Sequence, residues 1–207
     1  MAATSIDIDT PHGPARAHLT LPAGPRGALV LSHGAGGGVE APDIVVAKEA
    51  AVEEGFAVAL VEQPYRVAGR RSPAPARQLD AAWAAVLERL QAQELSGLPL
   101  VVGGRSLGGR VACRWAAEHR PAGVLCLAFP LQRPRRRNSR EAPPSRLPEL
   151  DAVEASVLVV QGTSDPFGMP PPGPNREVAQ VAGNHGLRAD PDAVGSAVRD
   201  WLRRLEL

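Results

Sequence analysis

The sequence predicts an α/β fold, a mostly parallel eight-stranded sheet with helices on both faces, and three observations carry that reading. Short apolar runs at residues 27–32 (GALVLS), 56–61 (FAVALV) and 123–129 (GVLCLAF) show no polar alternation, which is the signature of strands buried on both faces. Segments with helical apolar spacing separate several of these runs, and alternating strands and helices make a parallel sheet with helical crossovers. Glycine- or proline-rich stretches follow strand after strand; in an open parallel sheet such loops gather at the carboxyl edge, where ligands bind. The 207 residues, 44% hydrophobic and 22% charged, suit one soluble globular domain spanning 1–207.

Residues 4–9 (TSIDID) and 15–21 (ARAHLTL) alternate apolar and polar around Pro11, Gly13 and Pro14, as an antiparallel pair with one wet face does. The strand at 27–32 runs into HGAGGG at 33–38, too glycine-rich for regular structure. In 42–54, Ile44, Val45, Ala47, Ala51 and Val52 share a helical face, with Pro42 in the first turn and Gly55 closing the helix. Residues 63–76 are expected to form a loop, followed by a helix from Arg77 to about Leu95. Leu98, Leu100, Val101 and Val102 begin a fifth strand, which Gly103 and Gly104 are expected to end before a helix starts at Leu107. Beyond the strand at 123–129, residues 130–150 form a loop dense in proline and arginine, without an amphipathic helix. Strands at 157–160 and 176–181 precede a final helix at 191–205, which places Val194, Val198, Trp201, Leu202 and Leu205 on one face.

The net charge of +1 offers no field for nucleic acid. No apolar run is long enough for a membrane span and the first residues lack the apolar core of an export signal, so the expected location is the cytoplasm. Cys113 and Cys126 fall in a helix and a buried strand; they read as reduced core residues without metal-ligand spacing, and no metal or cofactor is implied.

Between the fifth strand and its helix lies Gly104-Arg105-Ser106-Leu107-Gly108, which fits G-x-S-x-G. In that motif a serine on a strained turn is lifted clear of the sheet, and glycines two positions away on either side leave room for the backbone. A serine hydroxyl is a weak nucleophile that needs a base, and the base needs an orienting partner. Asp165 follows the seventh strand and His185 the eighth, so the order Ser106, Asp165, His185 suits a triad whose members share one sheet edge. Oxyanion donors are expected from the backbone N–H of Leu107 and from Ala35 or Gly36 in the glycine-rich loop after the third strand. His33 ends a buried strand and is read as shaping that loop; His12, His18 and His119 are read as surface residues. Asp43, Asp80 and Asp151 lie near helix starts or in loops, where a carboxylate serves the helix dipole or the turn. Residues 131–146 hold Arg133, Arg135, Arg136, Arg137, Arg140 and Arg146 against Glu141 alone. Such a run is ordinarily a solvated surface, and the sharper alternative is a cationic rim that favours anionic esters.

The segments HGAGGG (33–38), EQPYRVAGRRSPAP (62–75), GGRSLGG (103–109), FPL (129–131), QGTSDPFG (161–168) and GNHGL (183–187) resemble a branch of small α/β-hydrolases. That branch includes the testis-expressed protein thirty group and the third subunit of the non-specific-lethal chromatin complex, with dienelactone hydrolases as more distant relatives. The resemblance spans nearly the whole chain. It implies the α/β-hydrolase fold without a cap domain, the triad Ser106, Asp165 and His185, and an oxyanion hole from Leu107 and the HGAG loop. With no cap, a small open acyl pocket follows, lined by Tyr65, Phe129, Leu131, Phe167 and Met169. A serine stands where dienelactone hydrolases use cysteine, which speaks against a dienelactone substrate.

The expected activity is hydrolysis of a small carboxylic ester or thioester through an acyl-enzyme. An acyltransferase or peptidase would use the same triad, and a non-catalytic interaction module would keep the fold without its chemistry.

Overall fold

A computed structural model describes residues 4–134 and 143–207. The apolar runs form β1 (Thr4–Ile8), β2 (Ala15–Thr20), β3 (Gly27–Ser32), β4 (Phe56–Glu62), β5 (Leu100–Arg105), β6 (Gly123–Leu127), β7 (Ser156–Gly162) and β8 (Arg176–Val181). Between and after them lie α1 (Pro42–Glu53), α2 (Pro64–Val67), α3 (Ala76–Ala92), α4 (Leu107–Ala116), α5 (Leu147–Asp151) and α6 (Pro191–Arg204). The strands make one sheet in the order β1-β2-β4-β3-β5-β6-β7-β8. β2 runs antiparallel to β1 and β4, and every other neighbouring pair is parallel.

Both faces of the sheet are dry over the central strands β3 to β7, while β2 alternates buried and half-buried residues and the edge strands β1 and β8 are partly exposed. On one, Trp83, Leu87 and Leu90 of α3 and Val111, Ala112 and Cys113 of α4 join the cluster above the strands. On the other, Ile44, Ala47 and Ala51 of α1 pack with Val194, Val198, Trp201 and Leu202 of α6. Each large apolar side chain so buried contributes about 1.5–3 kcal/mol, which outweighs the weak intrinsic helicity of segments this short.

Three local expectations need correction. β5 does not stop at Gly103: it continues through Gly104 to Arg105, paired with Leu125, Cys126 and Leu127 of β6. The glycines serve close approach there, since a Cβ on Gly103 would run into the carbonyl of Leu125. Residues 63–76 contain α2, and the stretch 130–150 contains α5; each is a turn of helix opened by a proline. Elements of four or five residues are too short for a 3.6-residue period to register.

Candidate active site

Ser106 stands at the corner where β5 turns into α4, with φ +51°. A non-glycine residue held there stores on the order of 1–3 kcal/mol of strain, which the surrounding packing must support. A Cβ on Gly104 or on Gly108 would strike the carbonyl oxygen of Ser32 at the end of β3. On Gly104 it would also come within 2.8 Å of the carbonyl carbon of Gly108, so the two motif glycines pack against each other. Gly109 lets the first turn of α4 settle onto β5 and β6, since a Cβ there would lie 3.0 Å from the Gly104 carbonyl oxygen and 3.5 Å from Cys126 Sγ.

The structure brings Ser106, His185 and Asp165 together from three separate loops. Ser106 Oγ lies 2.9 Å from His185 Nε2, and His185 Nδ1 lies 2.8 Å from Asp165 Oδ2. A carboxylate only accepts, so the partners assign the proton to Nδ1 and leave Nε2 to accept from the serine hydroxyl. The Asp165 side chain is 1% exposed, whereas that of His185 is 19% exposed and open to a reactant. Asp165 Oδ1 accepts from the N–H of Phe167 at 2.9 Å, and Oδ2 also accepts from Gln161 Nε2 at 2.8 Å. Gln161 is fully buried in β7, and its amide nitrogen also lies 3.1 Å from the Phe129 carbonyl oxygen and 2.9 Å from that of Gly168. It thus ties the carboxylate to two neighbouring loops, a role that no sequence motif announced.

The loop carrying His185 is fastened at both sides. Ser164 donates to the carbonyl of Gly183 from its hydroxyl at 2.8 Å and from its N–H at 2.9 Å. Asn184 Oδ1 accepts from the N–H of Gly186 at 2.9 Å, and the Phe167 ring centre lies 4.4 Å from that of the imidazole. The main chain of His185 is itself held by Arg105, whose Nη2 donates to its carbonyl at 2.9 Å. Arg105 Nε donates to Asp43 Oδ2 at 3.0 Å. Asp43 does occupy the first turn of α1, but it is a buried ion-pair partner with a wholly inaccessible side chain. Burial pushes its carboxyl above the usual carboxylate range, against the pull of the Arg105 cation.

The HGAG loop passes beside the elbow: a Cβ on Gly34 would sit 3.6 Å from that of Ser106. His33 has both ring nitrogens in use, Nδ1 donating to the Gly34 carbonyl at 2.8 Å and Nε2 accepting from the Gln63 N–H at 3.1 Å. That arrangement requires the neutral ring, and burial correspondingly holds the His33 pKa below the usual histidine value. Tyr65 donates to the Ala35 carbonyl at 3.1 Å, and burial pushes its phenol up to about 12. Among the described residues, the N–H groups of Ala35, Gly36 and Leu107 donate to no backbone acceptor.

The residues expected to line an acyl pocket divide. Leu131, Phe167 and Met169 are half-buried near the loops that carry Asp165 and His185, and a cavity of about 320 Å³ opens beside Phe167, Gly168, Gln132 and Arg133. Phe129 has no exposed surface and belongs to the core beneath, so it does not line an open pocket. Tyr65 is nearly inaccessible; it braces the HGAG loop and borders a separate cavity of about 300 Å³ with Gln63, Gln78 and Leu79. Of the basic loop, Arg146 donates to the Pro130 carbonyl at 2.7 Å and Arg133 is exposed, while Arg135, Arg136, Arg137 and Arg140 lie outside the described residues. Among the described residues, no three or more His, Cys, Asp or Glu side chains group as metal ligands, and no helix is long and apolar enough to cross a membrane.

With this geometry in place, the alpha/beta hydrolase domain matches residues 25–186. The chain belongs to the alpha/beta hydrolase family. Solved structures share its fold at low identity. A serine hydrolase without a lid from Xanthomonas campestris is 19% identical, with 99% of this chain and 96% of that one covered at a TM-score of 0.75. Est1E from Butyrivibrio proteoclasticus is 17% identical over 96% and 97%, at 0.76. A dienelactone hydrolase from Anabaena variabilis is 17% identical over 100% and 99%, at 0.75. No curated protein matches the sequence. The family and its fold therefore stand, with no cap domain among the described residues, while the narrower likeness to the testis-expressed and chromatin-complex groups rests on the sequence motifs alone.

Proposed function

We propose that this alpha/beta hydrolase cleaves a small carboxylic ester or thioester through an acyl-enzyme on Ser106. The observation that carries the reading is the hydrogen-bond relay from Ser106 Oγ through His185 to Asp165, at 2.9 and 2.8 Å, on a strained elbow that a mere scaffold has no need to keep. In acylation, Ser106 Oγ attacks the substrate carbonyl carbon while His185 Nε2 takes the hydroxyl proton. Asp165 holds Nδ1–H and stabilises the imidazolium that results. The oxyanion accepts from the N–H of Leu107 and from that of Ala35 or Gly36; a single such donor is worth about 3–4 kcal/mol. The tetrahedral species collapses as imidazolium returns the proton to the departing alcohol or thiol. Water then attacks the acyl-enzyme with His185 as base, and the carboxylic acid leaves. Leu131, Phe167 and Met169 flank the acyl group, and the lidless site favours short acyl chains.

Stopped-flow hydrolysis of p-nitrophenyl acetate tests this. A burst of nitrophenol equal to the enzyme concentration, absent in Ser106→Ala, is the expected result. Asp165→Asn, which leaves the imidazole without its orienting acceptor, is expected to lower kcat by about 10⁴-fold. Turnover that survives Ser106→Ala unchanged would overturn the assignment.

A further inference from the structure

We infer that Arg105 is a positioning residue for His185, held in place by Asp43; this rests on the hydrolase reading and deepens it. Arg105 is the last residue of β5 and immediately precedes Ser106, so its backbone is as fixed as the elbow itself. Its side chain crosses the HGAG loop at Gly34, where a Cβ would lie only 2.9 Å from Nη1. The guanidinium then divides its donors: Nε to Asp43 Oδ2 at 3.0 Å and Nη2 to the His185 carbonyl at 2.9 Å. Among the described residues, that is the one hydrogen bond made by the main chain of His185. Its neighbours Gly183, Asn184 and Gly186 are fastened locally, but only Arg105 links the histidine's own backbone to the strand that carries the nucleophile.

The chemistry suits arginine and no other side chain. A planar fork can bond a carboxylate with one edge and a carbonyl with another, whereas an ammonium is a point donor that cannot reproduce both directions. Asp43 contributes a fully buried carboxylate at the start of α1, which fixes the guanidinium and offsets its charge close to the imidazole. Without the tether the His185 main chain is free to shift, and Nε2 moves off the Ser106 hydroxyl. A misplacement of about 1 Å costs up to roughly a hundredfold in rate.

Removing one member of a buried ion pair strands the other charge, so Arg105→Lys and the neutral double variant Asp43→Asn with Arg105→Met are the suitable changes. Arg114→Met is the control: Arg114 is 22% exposed against 19% for Arg105, and it pairs with Asp80 and Glu149 away from the triad. Two readouts are taken on the full chain. One is the rate at which a fluorophosphonate modifies Ser106, measured alongside the melting temperature. The other is the low-field proton resonance of His185 Nδ1–H, assigned by its loss in His185→Ala.

The expected result is a modification slower by about tenfold to hundredfold in both Arg105 variants, with KM for a small ester unchanged and the Nδ1–H resonance broadened. Arg114→Met keeps the rate and the resonance even where it lowers the melting temperature. Wild-type rate and resonance in folded Arg105→Lys, or an equal loss in Arg114→Met, would overturn the inference while leaving the hydrolase reading intact. A wild type that takes no label but whose resonance depends on Arg105 supports the positioning role and refutes the hydrolase reading. A wild type with neither label nor resonance refutes both.

Discussion

At Ser106 a local motif and a global contact meet. The pentapeptide around it is legible because strain at one residue demands glycines at fixed offsets, and Gly108 shows how tightly: a Cβ there meets the Ser32 carbonyl, with the His33 carbonyl oxygen 2.9 Å away. Gly108→Ala is therefore expected to cost about 1–3 kcal/mol in urea unfolding and to reduce activity further by deforming the elbow. His33 carries a pH signature. Its folded pKa is depressed below the usual 6.5, so the unfolded chain binds more protons between the two values. The stability it supports is complete above pH 6.5 and is lost as pH falls through the folded value. His33→Gln keeps an acceptor for the Gln63 N–H without a titrating group, and its melting temperature is expected to fall less than that of the wild type on acidification below pH 6.5. Ser106, Asp165 and His185, which the structure brings within hydrogen-bond distance of one another and which we propose as the triad, stand out in the sequence by their order and their position after strands. Gln161, Arg105 and Asp43 do not, because an internal glutamine, a motif's variable position and a helix-start aspartate acquire their roles only through contacts distant in sequence: Asp43 and Arg105 are 62 positions apart, and Arg105 and His185 are 80.

At the scale of elements, long segments followed their apolar period, while α2 and α5 were hidden by brevity. The end of β5 departs from its local pattern for a different reason: glycine reads as a breaker in isolation, yet here it admits the neighbouring strand. α6 illustrates what a terminus adds. Asp190 caps it by accepting from the Ala193 N–H at 3.0 Å, ahead of Pro191 and with Arg203 and Arg204 in the last turn. Asp190→Ala is expected to lower stability by about 1 kcal/mol in chemical denaturation, and an unchanged transition midpoint would show that tertiary packing alone holds the helix.

Across the whole molecule, the parallel sheet gathers His33, Gln63, Ser106, Asp165 and His185 at one edge, and the bonds linking their loops are those that build the site. Strand order was less legible than strand existence, since pattern alone does not say that β2 adjoins β4 and not β3. Global cohesion has a chemical readout in the two thiols. Cys113 and Cys126 are fully buried with sulfurs 3.5 Å apart, and their hydrogen bond together with burial pushes the Cys113 thiol well above its ordinary range. Iodoacetamide is expected to spare both in the native protein and to label both in denaturant.

The central claim, an activated serine, is most directly tested by intact-mass detection of a fluorophosphonate adduct on the folded wild type, Ser106→Ala and His185→Ala. The account predicts one adduct per chain, lost in the first variant and formed far more slowly in the second. A folded wild type that gains no mass, or a Ser106→Ala protein that gains the same mass, would contradict it.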